Sequence, residues 1–173
     1  MNLADRALAT LQRVLPTEEA SAHCDIPCGI YDPHTAQIAA HTVIRMMMLL
    51  KDLPKPGDGA NKGEWDQYVA QVSRYVATKE EHARLCEHEL IILWTDYFKP
   101  EHLEKFPDLH DIVWKTSKLT STVKQQSLNM DAAQQLLAGA QRIAEIFWAT
   151  KGVQTKRQPS NQTSGGEIVY PVA

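Results

Sequence analysis

Long runs of like charge and long apolar stretches are both missing from this sequence. Its 18 Lys and Arg residues are scattered over 173 positions, and the net charge at pH 7 is only −3. Without clustered basic side chains the chain cannot neutralise successive phosphates, so neither nucleic acid nor an anionic membrane surface is expected as a partner. Even the apolar run from Met46 to Leu50 falls far short of the roughly 20 residues that cross a bilayer. We therefore expect a soluble protein.

Cysteine is scarce as well, with three residues in the whole chain. An odd number of thiols in a sequence long enough to bury its own core does not indicate a secreted disulfide framework. A reducing compartment fits better, so we expect a cytoplasmic protein. The sequence also shows no strand pattern and no internal repeat.

Apolar residues at helical spacing predict four helices, and the mostly short connections between them favour an all-α fold, an up-and-down four-helix bundle. The second helix is long, and Lys79 is the only polar residue in its apolar stripe. A Pro- and Gly-rich loop at residues 54–59 precedes it, and a short connection at residues 101–106 follows it. In chain order the predicted helices run from His34 to Leu53, from Trp65 to before Pro100, from Pro107 past Val123, and from a cap at Asn129 or Asp131 to Gly152.

The two ends of the chain differ from this central part. The spacing of apolar residues predicts a short amphipathic helix within residues 1–22, followed by a polar stretch that ends in Ala20-Ser21-Ala22, a small-x-small processing pattern. They lack the continuous apolar region of an export signal, so we interpret them as a removable leader. Residues 153–173 are mostly polar and are expected to form a flexible tail, although the segment Ile168 to Tyr170 could dock on a neighbour. The remaining domain spans residues 23–152.

The segment from His23 to Pro33 packs an imidazole and two thiols into six residues that Pro and Gly keep from forming a helix. Cleavage between Ala22 and His23 would add a free α-amine as a further donor. Together with the amide nitrogen of Cys24 and the sulfurs of Cys24 and Cys28, this amine completes a planar donor set that suits nickel(II). The His23 imidazole can approach from above the plane and stabilise nickel(III).

Other readings of these residues stay open at this point. A Cys-x-x-x-Cys pair is more often a core, zinc or redox feature than a nickel site, although zinc would normally need four side-chain ligands. The third thiol, Cys86, lies on the apolar stripe of the long helix and is interpreted as a core residue. The alternative functions are a non-catalytic metal-binding bundle and a thiol redox protein that cycles a Cys24–Cys28 disulfide.

Three segments favour the nickel reading by resemblance. The stretch from His23 to Pro33 resembles the nickel-binding hook of the nickel superoxide dismutases, which has the form H-C-x-x-P-C-G-x-Y-D-P. The segments from Leu93 to Pro107 and from Phe147 to Lys151 are similar to further parts of that family. The resemblance runs from His23 to about Gly152, and the leader and tail lie outside it.

The resemblance implies an antioxidant enzyme that converts superoxide to dioxygen and hydrogen peroxide while nickel cycles between Ni(II) and Ni(III). It implies one nickel ion per subunit, held by His23, Cys24 and Cys28, in a homohexamer whose hooks are closed by neighbouring subunits. A maturation protease would have to expose His23. The positions Tyr31, Asp25 and Tyr97 match residues around the substrate channel, where they would order water and exclude larger oxidants.

Two positions depart from the family pattern. The best-known members hold the axial imidazole with a Glu and an Arg, but counting without gaps places Ala39 and His82 there. The residues that fix the His23 ring are therefore missing or replaced, and His82 is one candidate for that role.

Overall fold

A computed structural model of this chain describes residues 28–126 and 128–172. In chain order, the helices and strands are α1 His34–Asp52, α2 Lys62–Ile92, a π-helical turn Leu93–Tyr97, α3 Pro100–Lys105, α4 Leu109–Gln125, α5 Met130–Thr150, β1 Thr155–Pro159 and β2 Glu167–Pro171. In the described part of the chain, no helix is long and apolar enough to cross a membrane.

The four long helices α1, α2, α4 and α5 form the predicted bundle. Helix α1 packs on α2 and α5, and α4 packs on the same two helices. Helix α1 contributes small residues to its contacts with the neighbouring helices, and Ala36, Ala39 and Ala40 are fully buried there. The largest fully buried apolar side chains fill the interior between the helices, and they include Met47, Leu90, Leu136, Ile143 and Phe147.

Local sequence signals explain where most of these helices begin. The Asn61 side chain accepts a hydrogen bond from the backbone N–H of Glu64, whose carboxylate accepts one from the N–H of Asn61, so a capping box starts α2. Asn129, one of the two predicted caps, accepts from the N–H of Ala132 at 2.9 Å and starts α5. The predicted connection at residues 101–106 is instead the short helix α3, which begins with Pro100 at its first position.

Helix α2 is longer than its partner α1, and this difference decides which part of its apolar stripe is buried. Its 31 residues correspond to about 46 Å, against about 28 Å for the 19 residues of α1. Ala83, Cys86 and Leu90 in the second half are completely buried, whereas Trp65 and Val69 in the first half are 37% and 56% exposed. The stripe is therefore part of the core only in its second half.

Residues 155–171 correct the prediction of a flexible tail. Strands β1 and β2 form an antiparallel hairpin in which Arg157 pairs with Val169, and Ile168 and Val169 are almost completely buried. Gly165 and Gly166 adopt φ angles near +70°, a conformation that glycine enters without steric cost, and this allows the chain to return as β2. The segment Ile168 to Tyr170 docks on its own bundle rather than on a neighbour, because pairing of the two strands satisfies the backbone polar groups that docking buries.

Candidate metal centre

The chain enters the bundle through the segment before α1, which we call the hook base (residues 28–33). Asp32 Oδ1 accepts a hydrogen bond from the backbone N–H of His34 at 2.7 Å, so this carboxylate caps the first turn of α1. Gly29 has a φ of +72°, a left-handed conformation that explains why glycine follows Cys28. The predicted site residues His23, Cys24 and Asp25 lie outside the described residues.

The thiol of Cys28 is on the surface. Its Sγ accepts a hydrogen bond from the backbone N–H of Ile30 at 3.4 Å. Ile30 itself is 77% exposed, although it is a large apolar residue. This end of the bundle thus presents an exposed thiol, the predicted metal ligand, beside an exposed apolar side chain.

Two tyrosines predicted to line the site are brought together. The rings of Tyr31 and Tyr97 have centroids 5.6 Å apart and are tilted by 55°. Tyr97 also packs on Phe147 at 4.6 Å, and its hydroxyl lies 2.6 Å from Thr150 Oγ1. Tyr97 is therefore fixed from two sides and holds Tyr31 of the hook base against the end of α5.

A local change in helix geometry sets the direction of Tyr97. The last turn of the long helix, Leu93–Tyr97, is π-helical, and the N–H of Phe98 closes it by donating to the carbonyl of Leu93 at 2.9 Å. Such turns are rare and are frequent at functional sites, because one extra residue per turn rotates the side chains that follow. The apolar spacing of α2 gave no sign of this turn.

Two residues beside Tyr97 were missed by the sequence reasoning. Thr150 supplies the hydroxyl partner of Tyr97, and Lys151 places its ammonium group 5.5 Å from the Tyr97 ring centroid and 4.9 Å from that of Phe147. Both belong to the segment from Phe147 to Lys151, which resembles the family but shows no pattern that assigns a role to either residue. Only the fold brings this segment next to residue 97.

The third thiol has the opposite environment to Cys28. Cys86 is completely buried in the core, and burial raises its pKa to about 12, with the carboxylates of Glu87 and Glu89 adding to the rise. A thiol that does not ionise at neutral pH is a poor metal ligand and a poor nucleophile. This agrees with the interpretation of Cys86 as a core residue.

No other metal centre competes with the predicted one in the part of the chain that the structure describes. Within residues 28–126 and 128–172, no three His, Cys, Asp or Glu side chains are grouped so that they could hold a metal ion. Of the predicted ligands, only Cys28 belongs to this part. Its exposed thiol at the hook base fits a donor set in which the remaining groups precede it in sequence.

The two positions that depart from the family pattern lie on α1 and α2. Ala39 is fully buried in α1 and offers no polar group. His82 lies on α2, and its Nδ1 atom is buried without a hydrogen-bond partner within the described residues. Buried polar atoms are nearly always paired in folded proteins, so this nitrogen is available to a group that the described residues do not include.

Comparisons with known proteins agree with the geometry. The family model for nickel-containing superoxide dismutase matches residues 18–151. The nickel superoxide dismutase of Streptomyces coelicolor is 38% identical over 136 residues, which are 79% of this chain and 93% of the relative. The corresponding protein of Streptomyces seoulensis has the same identity and coverage. The native structure of a nickel superoxide dismutase superimposes with a TM-score of 0.63 at 36% identity, covering 75% of this chain and 99% of that chain.

Proposed function

This chain belongs to the family of nickel-containing superoxide dismutases, and we propose that it becomes active when cleavage between Ala22 and His23 frees the amine of His23. It is a nickel-dependent oxidoreductase that converts two superoxide anions and two protons to dioxygen and hydrogen peroxide. The ligands that we propose are His23, Cys24 and Cys28, with one nickel ion per chain. When bound, nickel supplies the one-electron redox chemistry of both half-reactions.

The observation that carries this assignment is the contrast between the two described thiols. Cys28 is exposed at the hook base and accepts an N–H hydrogen bond at its sulfur, whereas Cys86 is buried and remains protonated at neutral pH. Thiolates are the ligands that stabilise a soft or borderline metal. Only the hook can therefore provide thiolate ligands, and its donor set suits nickel.

The aromatic residues beside the hook base are proposed to shape the approach to the site. In this proposal the packed rings of Tyr31 and Tyr97 order water and exclude larger oxidants. The positive charge of Lys151 lies above the Tyr97 ring and favours the approach of an anionic substrate. Water held near Tyr31 and Asp25 would deliver the protons that peroxide formation consumes.

We further propose that the hook is completed by neighbouring copies of the chain in a homohexamer. The support on this chain is the exposure of Ile30, 77%, since a large apolar side chain beside a reactive metal is best covered by a partner. A cytoplasmic location is proposed from the few cysteines in the chain. Maturation there requires a protease that recognises the end of the leader.

The test compares the full chain with a chain that starts at His23, both refolded with nickel. The cut chain should bind about one nickel per chain and remove superoxide, because the free amine is a basic donor and an amide is not. The uncut chain should retain its helical circular dichroism signal but remain inactive. Full activity of the uncut chain would contradict the assignment of the His23 amine as a ligand. A cut chain that binds nickel without removing superoxide would favour a metal-binding bundle. A cut chain that binds no metal but forms a reversible Cys24–Cys28 disulfide would favour a thiol redox protein.

A further inference from the structure

The C-terminal hairpin (residues 155–171) lies outside the segment that matches the family, which ends at residue 151. It docks on α1 and α5, and Ile168 and Val169 face the bundle and are almost fully buried. An added element with its own buried residues and strand pairing needs a physical role. Its contacts show that it is attached at the beginning of α1, directly after the hook base.

The central contact is a pair of hydrogen bonds between a glutamine and one strand residue. The fully buried Gln37 accepts a hydrogen bond at Oε1 from the N–H of Val169 at 2.8 Å, and its Nε2 donates to the carbonyl of Val169 at 3.2 Å. The side chain thus binds the edge of β2 as another strand would. Because Gln37 lies in the first turn of α1, this pair fixes β2 against the start of the helix.

A second polar contact lies one turn further along α1. One ring nitrogen of His41 lies 3.0 Å from the carbonyl of Glu167, and the other lies 2.9 Å from the hydroxyl of Ser164. The carbonyl can only accept, so Nε2 carries the proton and Nδ1 accepts from Ser164. Both hydrogen-bonding positions of the ring are therefore used to hold the hairpin.

The end of β2 contacts the residue that follows the hook base. The Tyr170 ring packs on the His34 ring with centroids 5.6 Å apart, and the two line a pocket of about 290 Å³ together with Asp32 and Trp148. Asp32 is also the residue that caps α1 through the N–H of His34. Tyr170 thus lies against the point where the hook base joins the helix.

The hook base has a second aromatic contact, made by Tyr31. Tyr31 packs on Tyr97, Tyr97 on Phe147, and Phe147 on Trp148, with centroid distances of 5.6, 4.6 and 5.0 Å. Trp148 lines the same pocket as Tyr170. The two ends of the segment from Tyr31 to His34 therefore each contact an aromatic ring, Tyr97 at Tyr31 and Tyr170 of the hairpin at His34.

We propose that the C-terminal hairpin is a brace for the hook, in which Tyr170 is a positioning residue that restrains the hook base through His34. This inference rests on the proposed function, since the hook base carries Cys28. A hairpin that only covered the core would use Ile168 and Val169 but would have no need of an aromatic contact at His34. The brace holds the polypeptide from which the ligands extend, and so it slows their departure from the metal.

The test uses Tyr170→Ala, with Tyr170→Phe as the variant that keeps the ring and Tyr68→Ala as a matched control. Tyr68 is also half-buried, but it lies on the first half of α2, where it packs on Trp65. Amide hydrogen exchange at residues 30–37 is measured on the nickel-free full chain, so that this measurement does not depend on metal binding. The rate of nickel loss to a chelator and the electron paramagnetic resonance spectrum are measured on chains that start at His23.

In Tyr170→Ala we expect exchange at the His34 amide and nickel loss each to become about threefold to tenfold faster, the range that an aromatic pair supports. Tyr170→Phe and Tyr68→Ala should behave like the parent chain in both measurements. Unchanged exchange at residues 30–37 would overturn the brace, and so would faster exchange with unchanged nickel loss. A parent chain that binds no nickel would contradict the proposed function instead, while the exchange measurement would still decide whether the hairpin restrains the hook base.

Discussion

The hook base and the hairpin both lie beside the first turns of α1, but they are held there in opposite ways. The hairpin buries Ile168 and Val169 to 0% and 2% exposure, and its backbone is paired between strands. The hook base leaves Cys28 and Ile30 exposed. The difference teaches that contacts within one chain hold the hairpin, whereas the hook base presents a thiol and an apolar side chain that a metal ion or another molecule can reach.

The largest effect should come from removing a thiolate at the hook. Cys28→Ser and Cys24→Ser should each abolish nickel binding and superoxide removal, because a hydroxyl does not replace a thiolate as a ligand for a borderline metal. The hairpin should remain docked, since the hydrogen bonds and ring contacts described for it involve neither residue. Nickel content by elemental analysis and dismutation by a superoxide assay measure the loss, and circular dichroism checks the fold.

The matched control for the thiols is Cys86→Ala. It removes a buried side chain and should cost about 1 kcal/mol of unfolding free energy, in the usual range for point mutants, while nickel content stays unchanged. Loss of nickel from a folded Cys86→Ala protein would show that the exposed and buried thiols do not divide into a site residue and a core residue.

The second effect should be confined to the hairpin. Ile168 is completely buried, so Ile168→Ala should destabilise hairpin docking by about 2–5 kcal/mol, the range for truncating a large aliphatic core residue. Val172, 46% exposed, provides the control Val172→Ala, which should change little. Hydrogen exchange at the amides of β2 measures the difference. Equal effects of the two substitutions would mean that burial of Ile168 does not hold the hairpin.

Apolar periodicity was sufficient to predict the bundle. Positions such as Val43 and Met47 in α1, or Leu137 and Ala140 in α5, repeat at helical spacing, and the structure buries all four. Capping residues and Pro located most helix ends because their effects are local. Membership of the family, inferred from the hook motif, is confirmed by the family match.

Features that depend on contacts between distant residues could not be predicted in this way. The hairpin docks through Gln37 and Val169, which are 132 positions apart, and nothing in the polar sequence of residues 153–167 indicates this pairing. The same holds for Tyr97 and Thr150, whose hydroxyls meet only because α2 and α5 are neighbours in the fold. The roles of all the predicted site residues remain predictions, and His23, Cys24 and Asp25 also lie outside the described part of the chain.

A third test uses pH to separate the hairpin from the hook. Burial lowers the pKa of His41 below its ordinary value near 6.5, although the hydrogen bond to Glu167 partly opposes this. Below pH 6.5, His41 therefore binds a proton more readily when the hairpin is undocked than when it is docked. Docking of the hairpin weakens as the pH falls below 6.5 and is unaffected above it. For a single group this loss cannot exceed about 1.4 kcal/mol per pH unit.

This weakening is measured by hydrogen exchange at the amides of β2 between pH 7.5 and 5.5, with a correction for the intrinsic pH dependence of exchange. The nickel-free chain is used so that acid-induced loss of the metal does not contribute to the result. His41→Gln keeps a polar side chain but does not titrate, so its hairpin should lack this change even if its docking is weaker throughout. An unchanged pH dependence in His41→Gln would assign the effect to another group.

The smallest expected effect concerns His82, which tests whether the hook is supported from α2 as well as from the hairpin. Its buried Nδ1 has no hydrogen-bond partner within the described residues, and a bond to the His23 ring would satisfy it. His82→Ala should then leave nickel stoichiometry unchanged, because the planar donors all lie between residues 23 and 28, but should slow turnover by up to about tenfold, the lower end for residues that orient a metal ligand. His82→Asn places an amide near the position of Nδ1 and should restore part of the rate. Unchanged turnover in His82→Ala, with an unchanged axial-nitrogen signature in the electron paramagnetic resonance spectrum of the oxidised enzyme, would reject this role and leave the hairpin and the Tyr97 ring as the supports for the hook base.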